Sequence, residues 1–262
     1  MLAVIGIGLG DERDITIKGL EYVKKADKVY LEDYTSLSNT NAAELEKFYG
    51  KKIVLADRAL VESDDNLILK DAIKKNVVFL VIGDVFSATT HADLYIRAKK
   101  QGIKVEVIHN TSILTAIGIT GLQLYKFGKT TSIAYPEDNY LPTSSYNAVK
   151  ENYDRGLHTL CLLDIKKDSQ KFMTINEAIK LLEKMEEKEN KKLINEKLFA
   201  VGCARLGYED YLIKTGSIKE LRKFDFGNPP HCLIIPGKLH FKEEEMLELW
   251  MRKPPKIRVA SI

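Results

Sequence analysis

The polar residues best suited to chemistry in this chain follow a long apolar run. Six consecutive apolar residues, 77–82, lead into Gly83 and Asp84, and Ser87 comes three positions later. A glycine lets the main chain approach a ligand, a carboxylate can orient a polar group, and a serine hydroxyl can bind loose main-chain donors. The pattern predicts a ligand-binding turn, although an ordinary connection from a strand to a helix has the same composition.

A second polar cluster, 109–112, follows the apolar run at 105–108 and ends in Ser112. In an open parallel sheet the carboxyl ends of the strands share one edge, and ligands bind just outside it. We therefore expect the two clusters to lie at the same edge. Ser112 is also a suitable N-cap for the segment that follows, and a capping role is compatible with a ligand role.

The first apolar run ends in a glycine loop, 6–10, with the pattern Gly-x-Gly-x-Gly. It imitates the dinucleotide-binding fingerprint, even to an acidic residue about 20 positions later. However, the third glycine comes one residue too early, and Asp11 stands where the fingerprint has its third glycine. The acidic run 11–14 would also repel a pyrophosphate. A nucleotide-cofactor oxidoreductase is therefore disfavoured but stays open.

These clusters must be positioned by strands and helices that alternate along the first half of the chain. The alternation predicts a mostly parallel, open sheet. The first helix should carry Ile17, Leu20 and Val23 on one stripe. The predicted strands begin at residue 3 and cover 28–32, 53–55, 77–82 and 105–108, and the later helices cover 40–49, 66–75 and 90–101.

After Gly128 strands are interleaved with longer turns. We expect an α/β fold with an N-terminal α/β domain over 1–112, a joining helix over 113–127 and a C-terminal α/β domain with a mixed sheet over 128–262. The ligand cleft should lie where the two domains meet. Strands are predicted at 159–165, 198–205 and 231–236, with helices from 174 and over 242–250.

Composition excludes several classes of protein. The 40 basic and 37 acidic residues of the 262-residue chain leave a net charge of +3, which is too small a surplus to indicate nucleic-acid binding. No apolar run approaches the roughly 20 residues of a membrane helix, and the N-terminus resembles a strand more than a signal peptide. The three cysteines lack metal or disulfide spacing, so we expect buried thiols, no metal and a cytoplasmic location.

The assembled motifs resemble the tetrapyrrole methylases (class III methyltransferases) and, within them, the diphthine synthases. The family-like motifs are the glycine loop continuing to Thr16, the Gly-Asp pair at 83–84 and Ala-Thr-Thr-His at 88–91. The likeness covers essentially the whole chain. Stretches similar to diphthine synthases are 31–36, 118–122, 125–129, 156–160, 163–166, 228–231 and 236–240.

The resemblance implies an S-adenosylmethionine-dependent methyltransferase that is a homodimer. Its acceptor would be the amino nitrogen of a 3-amino-3-carboxypropyl group on a histidine of translation elongation factor 2. Repeated transfer gives the trimethylammonium product, diphthine, in diphthamide biosynthesis, and the donor lies between two domains. Carried over position by position, the expected donor contacts are Leu9, Asp84, Ser87, Ser112, Ile113, Leu163, Leu206 and His231.

The catalytic residues stay open at this point. The amine must lose a proton before each attack, and His109, His231 and Asp84 are candidates for assisting. Aromatic rings could favour the cationic product, and Tyr30, Tyr34 and Tyr135 are possible examples. Two other functions are compatible with the fold: a tetrapyrrole (precorrin- or uroporphyrinogen-type) C-methyltransferase and a non-catalytic binding module.

Overall fold

The computed structural model describes residues 1–34, 36–37, 39–63, 67–138 and 140–251. Its strands are β1 Leu2–Gly6, β2 Lys28–Glu32, β3 Ile53–Ala56, β4 Val77–Val81, β5 Val105–Ile108, β6 Thr131–Ile133, β7 Thr159–Leu163, β8 Ile165–Lys166, β9 Lys171–Phe172, β10 Phe199–Ala204, β11 Leu212–Ser217 and β12 His231–Ile235. Its α-helices are α1 Ile17–Lys25, α2 Ala42–Tyr49, α3 Arg58–Glu62, α4 Leu67–Lys74, α5 Ala92–Lys100, α6 Ile113–Ala116, α7 Ser144–Asp154, α8 Ile175–Glu189, α9 Ile218–Leu221 and α10 Phe241–Met251.

The chain divides into two units that are interleaved along the sequence. The first unit comprises Met1–Ala116, Ile165–Ser169 and Leu206–Glu209. The second comprises Ile117–Asp164, Gln170–Arg205 and Asp210–Ile262.

The first unit contains a five-stranded sheet with the order β3-β2-β4-β1-β5. Every neighbouring pair is parallel, so the carboxyl ends of all five strands lie at one edge. The predicted parallel sheet is thereby confirmed. The register pairs Gly6 at the end of β1 with Val81 at the end of β4, and Ile5 with Ile108 of β5.

Strand β4 is buried on both faces, as its unbroken apolar run predicted. Val77, Phe79 and Val81 pack in one hydrophobic cluster with residues of α4 and α5. Val78 and Leu80 pack in a second cluster with residues of α1 and α2. Alternate side chains of a strand point to opposite faces, so two helical layers cover the sheet and fix the position of its carboxyl edge.

The second unit contains a mixed five-stranded sheet with the order β11-β10-β12-β7-β6. Strands β6 and β7 are parallel, and the other neighbours are antiparallel. A hydrophobic core combines residues of this sheet with the buried faces of α7 and α8. The predicted mixed sheet is therefore confirmed.

Several elements differ from the sequence prediction. Residues 113–127 hold the short helix α6 and the 3-10 helices Ile117–Thr120 and Leu124–Lys126 where one joining helix was expected. The stripe predicted for α1 is wrong at Ile17, which is 81% exposed, because Gly19 and Val23 form the buried face of this helix. Three positions of predicted features lie outside the described residues: Thr35 of the stretch 31–36, Asn66 of the helix 66–75, and Asn139 of one of the longer turns after Gly128.

The three cysteines are free and buried, as expected. Across the described ranges no helix combines the length and apolarity needed to cross a bilayer.

Candidate active site

The glycine loop and the Gly-Asp motif are joined directly at the carboxyl edge of the first sheet. Gly8 N–H donates to the Gly83 carbonyl over 3.2 Å, and Gly83 N–H donates to the Gly8 carbonyl over 2.8 Å. Both residues have positive φ, +79° and +81°. Only glycine adopts this conformation without strain, so both turns depend on a glycine. A Cβ on Gly8 would also lie 2.7 Å from Asp14 Cβ.

Position 6 requires a glycine, because the surrounding atoms leave no space for a Cβ. A Cβ built at this position would lie 2.5 Å from the Gly83 carbonyl oxygen and 3.0 Å from Asn110 Cβ. The Asn110 amide donates to the Gly6 carbonyl (3.0 Å) and to the Asp14 carbonyl (2.9 Å). Asn110 therefore ties the glycine loop to the polar cluster after β5.

The Asp84 carboxylate connects the loop after β4 to the polar cluster after β5 through hydrogen bonds. Its Oδ1 accepts from His109 Nδ1 (2.9 Å) and Asn110 N–H (3.0 Å), and its Oδ2 accepts from Ser87 Oγ (3.1 Å) and Phe86 N–H (3.3 Å). Burial alone would raise the pKa of Asp84, but the hydrogen bonds from Asn110, His109, Phe86 and Ser87 outweigh it and lower the pKa. Asp84 is thus an ionised carboxylate, and both of its oxygens accept hydrogen bonds from within the protein. A ligand at this edge would therefore contact the loops that Asp84 holds in place.

The loop after Asp84 is closed by donors to a single carbonyl. Val85 is buried, and its carbonyl oxygen accepts from Thr89 Oγ1 (2.7 Å) and lies 3.2 Å from His91 Nδ1. Because a carbonyl only accepts, His91 carries its proton on Nδ1. His91 is 1% exposed, so its ring is a fixed part of the wall of this loop.

The expected donor contacts of the first unit lie around Gly83. A Cβ at Gly83 would lie 3.7 Å from Leu9 Cδ2 and 3.9 Å from Ser112 Cα, which are ordinary contact distances. A Cβ at Gly207 would lie 2.5 Å from Leu9 Cβ, so the main chain next to Leu206 also packs against the glycine loop. The structure therefore brings Leu9, Asp84, Ser87, Ser112 and the Leu206 segment to one edge, with the half-buried Ile113 directly after Ser112.

Ser112 caps the helix that follows it, as the alternative reading of the sequence predicted. Its Oγ accepts from Leu114 N–H (3.1 Å), and its carbonyl accepts from Thr115 and Ala116 N–H. The residue is 4% exposed. This capping fixes the direction of the chain as it leaves the sheet edge.

The remaining two expected contacts belong to the second unit. Leu163 ends β7 and His231 begins β12, and the antiparallel register that pairs Cys232 with Leu162 puts both residues at the same end of that strand pair. His231 lies 3.1 Å from the Asn228 carbonyl through Nε2, and its Nδ1 accepts from Ile175 N–H (3.4 Å). Burial lowers the pKa of His231, so the ring is neutral and both nitrogens are engaged. This geometry disfavours His231 as a base.

The three candidate tyrosines have different surroundings. The Tyr30 hydroxyl donates to Asp71 Oδ2 (2.7 Å), and the Tyr135 hydroxyl donates to Glu177 Oε2 (3.3 Å). Both rings therefore have structural partners within their own units. Tyr34 follows β2 at the carboxyl edge, where burial, together with the charge of Glu32, raises its pKa to about 12.

The charges at this edge fit a cation better than a phosphate. Asp84 lies between the loop after β4 and the polar cluster after β5, and Asp14 Oδ2 accepts from Gly10 N–H (2.7 Å) in the glycine loop. A pyrophosphate would be repelled by these carboxylates, whereas a sulfonium would be attracted to them. The residues present are therefore compatible with a nucleoside that carries a cationic sulfonium and no phosphate.

Residues 1–222 match the profile of the family described as Tetrapyrrole (Corrin/Porphyrin) Methylases. The chain belongs to the tetrapyrrole methylase family. It is therefore an enzyme of the methyltransferase class.

Relatives of this tetrapyrrole methylase match over nearly their whole length. A diphthine synthase of Methanocaldococcus jannaschii is 51% identical over 95% of this chain and 98% of its own. A protein of Arabidopsis thaliana named "Probable diphthine methyl ester synthase" is 48% identical over 97% of this chain and 99% of its own. A crystal structure of diphthine synthase superposes with a TM-score of 0.87 at 36% identity, covering 95% of both chains.

Two residues of the candidate site were missed by sequence reasoning. Asn110 was noted only as part of a polar cluster, although its amide links the Gly6 and Asp14 carbonyls. Gly207, with φ +99°, packs on Leu9 from a segment nearly 200 positions along the chain. A glycine after Leu206 was the available signal, but its partner could not be inferred from local sequence.

Proposed function

We propose that this protein is an S-adenosylmethionine-dependent methyltransferase of diphthamide biosynthesis. It transfers methyl groups to the amino nitrogen of the 3-amino-3-carboxypropyl group on a histidine of translation elongation factor 2. Successive transfers convert the amine to the trimethylammonium of diphthine. The observation that carries this proposal is the extent of the likeness to diphthine synthases, at about half identity across nearly the full chain.

The carboxyl edge of the first sheet supports a donor site at this place. We propose that the joined turns at Gly8 and Gly83 present main-chain groups to the ligand, and that Leu9, Ile113 and Leu206 supply apolar walls. Apolar walls with a few main-chain donors and acceptors suit an adenosine. Leu163 and His231 stay donor contacts by family likeness alone.

In this proposal the protein acts mainly by positioning. The donor, when bound, supplies an activated methyl group on sulfur. The chain must hold the acceptor amine in line with that methyl group and keep water away. Asp84 contributes by fixing the loops 85–87 and 109–110, through hydrogen bonds to both of its oxygens, rather than by reacting itself.

The decisive experiment incubates the protein with S-adenosylmethionine and an elongation factor 2 that carries the unmethylated precursor. Mass spectrometry of the modified histidine then counts the methyl groups. A gain of three methyl groups on nitrogen is the expected result. A further methyl group on the carboxylate would correspond to the product named for the Arabidopsis relative.

A second experiment tests the location of the donor site. Replacing Asp84 by Arg removes the acceptor of the hydrogen bonds from His109 and Asn110, and it places a cation beside the expected sulfonium. We expect calorimetry to show loss of S-adenosylmethionine binding. Glu106→Arg, at a half-buried position on strand β5 of the same sheet, serves as the charge-matched control and should bind the donor normally. Unchanged affinity in the Asp84 variant would contradict this location.

The alternatives are separated by the same assays. A tetrapyrrole C-methyltransferase would methylate a precorrin or uroporphyrinogen and leave elongation factor 2 unmodified. A nucleotide-cofactor oxidoreductase would bind NAD in calorimetry, which the carboxylates at the edge disfavour. A binding module would take up the donor without modifying either acceptor.

The proposal also takes the enzyme to be a homodimer that works in the cytoplasm on elongation factor 2, without nucleic acid or membrane. The dimer, the cytoplasmic location and the acceptor follow from the family likeness. The near balance of basic and acidic residues argues against nucleic acid as a partner. Light scattering at several protein concentrations tests the oligomeric state, and a mass corresponding to one chain would contradict the dimer.

A further inference from the structure

His109 has a different environment from the three buried histidines of the chain. His91 is buried in the wall of the Gly83–Ser87 loop, and His231 has both ring nitrogens engaged. His158 is fully buried between Glu243 and the Gly237 N–H. The His109 side chain is 69% exposed, yet one of its nitrogens is held by the buried Asp84 carboxylate.

The contact with Asp84 sets the tautomer of His109. His109 Nδ1 lies 2.9 Å from Asp84 Oδ1, and an ionised carboxylate only accepts hydrogen bonds. The neutral ring therefore carries its proton on Nδ1 and presents a lone pair on Nε2. Asp84 cannot turn away from this contact, because its oxygens are also held by Asn110, Phe86 and Ser87.

A carboxylate that orients a histidine and leaves its second nitrogen free is the arrangement of a base–orienter pair. Among the described residues, Asp84 is the charged group within ion-pair distance of the His109 ring. The aromatic ring of Phe86 packs edge-on at 6.4 Å between centroids.

We propose that His109, oriented by Asp84, is the general base that removes the proton from the acceptor ammonium before each methyl transfer. This inference rests on the proposed function, since it names the proton acceptor for that reaction. It also assigns Asp84 a positioning role in proton transfer, in addition to its role in the loops.

The proton balance of one cycle is simple. An N–H bond of the acceptor ammonium breaks, its electron pair stays on nitrogen, and the proton forms an N–H bond at His109 Nε2. The amine then forms a C–N bond with the methyl group as the C–S bond breaks, and the electron pair of that bond stays on sulfur. The exposed imidazolium releases its proton to water, so the base is restored before the next transfer.

Exposure is what makes repeated turnover possible. A buried base would keep each proton until product left, whereas the exposed His109 ring can exchange with solvent between transfers. After the third transfer the nitrogen has no proton to lose, so the base acts before each transfer and is not needed afterwards.

The test compares wild-type protein with His109→Asn across a range of pH, using elongation factor 2 that carries the precursor. The Asn side-chain amide can still donate to Asp84 from nearly the position of Nδ1, but it offers no basic nitrogen. At neutral pH we expect transfer to slow by roughly 10²-fold, with donor affinity unchanged in calorimetry. Above the pKa of the acceptor amine, free amine no longer needs a base, and the two rates should converge.

The matched control is His240→Asn, an exposed histidine of the second unit whose Nδ1 accepts from Lys242 N–H. It should behave as wild type at every pH. A His109 variant that matches wild type throughout, or that is slowed by a constant factor at all pH, would overturn the proposal. Absence of any methylation by the wild-type protein would instead contradict the proposed acceptor, so the two failures are distinguishable.

Discussion

Gly6 and Gly83 lie so close together that a Cβ on Gly6 would be 2.5 Å from the Gly83 carbonyl oxygen. The atom that would have to move is main chain, and it belongs to the turn that joins the glycine loop to the Gly-Asp motif. Neither strand can retreat, because β1 and β4 are paired along their whole length. Side-chain size at one position thus controls the geometry of the candidate donor site.

The first prediction concerns Gly6→Ala. It should destabilise the protein by about 3 kcal/mol, at the upper end of the cost of overpacking, and abolish donor binding. Denaturant unfolding and calorimetry measure the two effects. Gly102→Ala is the control: its φ is +71° and a Cβ would meet nothing within 4 Å. It should cost only the left-handed strain, about 1 kcal/mol, and leave donor affinity intact.

The second prediction concerns Asn110→Asp. The aspartate would direct carboxylate oxygens at the Gly6 and Asp14 carbonyls, which now accept from the amide at 3.0 and 2.9 Å. Two lost hydrogen bonds and the new repulsion should cost about 2 kcal/mol of unfolding free energy and weaken donor binding. Urea titration and calorimetry test this. Wild-type stability together with wild-type affinity would show that the amide does not organise the edge.

The third prediction concerns Glu243, which is fully buried in the second unit. It accepts from Lys126 Nζ (2.5 Å), His158 Nε2 (2.9 Å), Gln123 N–H (2.9 Å) and His240 N–H (2.7 Å). Burial raises the pKa of Glu243, but these donors outweigh it and bring the pKa to about 2, below its ordinary 4.5. A depressed carboxyl pKa gives stability that is present above pH 4.5 and is lost as the pH falls towards 2.

Glu243→Gln should therefore destabilise the protein at neutral pH by about 3 kcal/mol, because Lys126 loses its buried counter-charge. It should also flatten the loss of stability between pH 4.5 and 2. Unfolding free energies measured over this range decide it. Glu245→Gln, whose partner Lys242 is a surface residue on the same helix, is the control and should change little. Parallel pH profiles for the wild type and the Glu243 variant would contradict the assignment.

The fourth prediction concerns the thiols. Burial raises the pKa of Cys161 to about 12, and Cys203 and Cys232 are buried as directly opposed residues of β10 and β12. Thiolates are the reactive form, so native protein should resist alkylation by iodoacetamide at neutral pH. Mass spectrometry should find unmodified protein under native conditions and full labelling in denaturant. Rapid native labelling of any of the three would show that the second sheet opens.

The first sheet and its carboxyl edge could be predicted because their signals are local. An apolar run such as 77–82 indicates a doubly buried strand by composition alone, and Gly83 and Asp84 mark its end. Parallel strands then bring their ends together as a rule of topology. That is why Asp84 and Ser112 could be assigned to one edge from the sequence pattern, whereas Leu9 was assigned by the family resemblance.

The parts that could not be predicted depend on distant partners or on weak patterns. Asn110 acts through Gly6 and Asp14, which lie 104 and 96 positions away. Strand β11 contains Lys214 and Gly216, which are poor strand formers, and is fixed by its pairing with β10 rather than by its own sequence. The four hydrogen bonds to Asp84 could not be predicted either, because two of the donors are main-chain N–H groups that any residue type would supply.

The segment Leu206–Glu209 belongs to the first unit although it is encoded between two strands of the second. A gene fragment ending at residue 116 would carry Leu9 but not Gly207, whose main chain packs against it. Recombination between related enzymes at the boundary near 116 would therefore pair a glycine loop from one parent with a backing segment from the other. Functional chimaeras should require crossovers that inherit both pieces from the same ancestor.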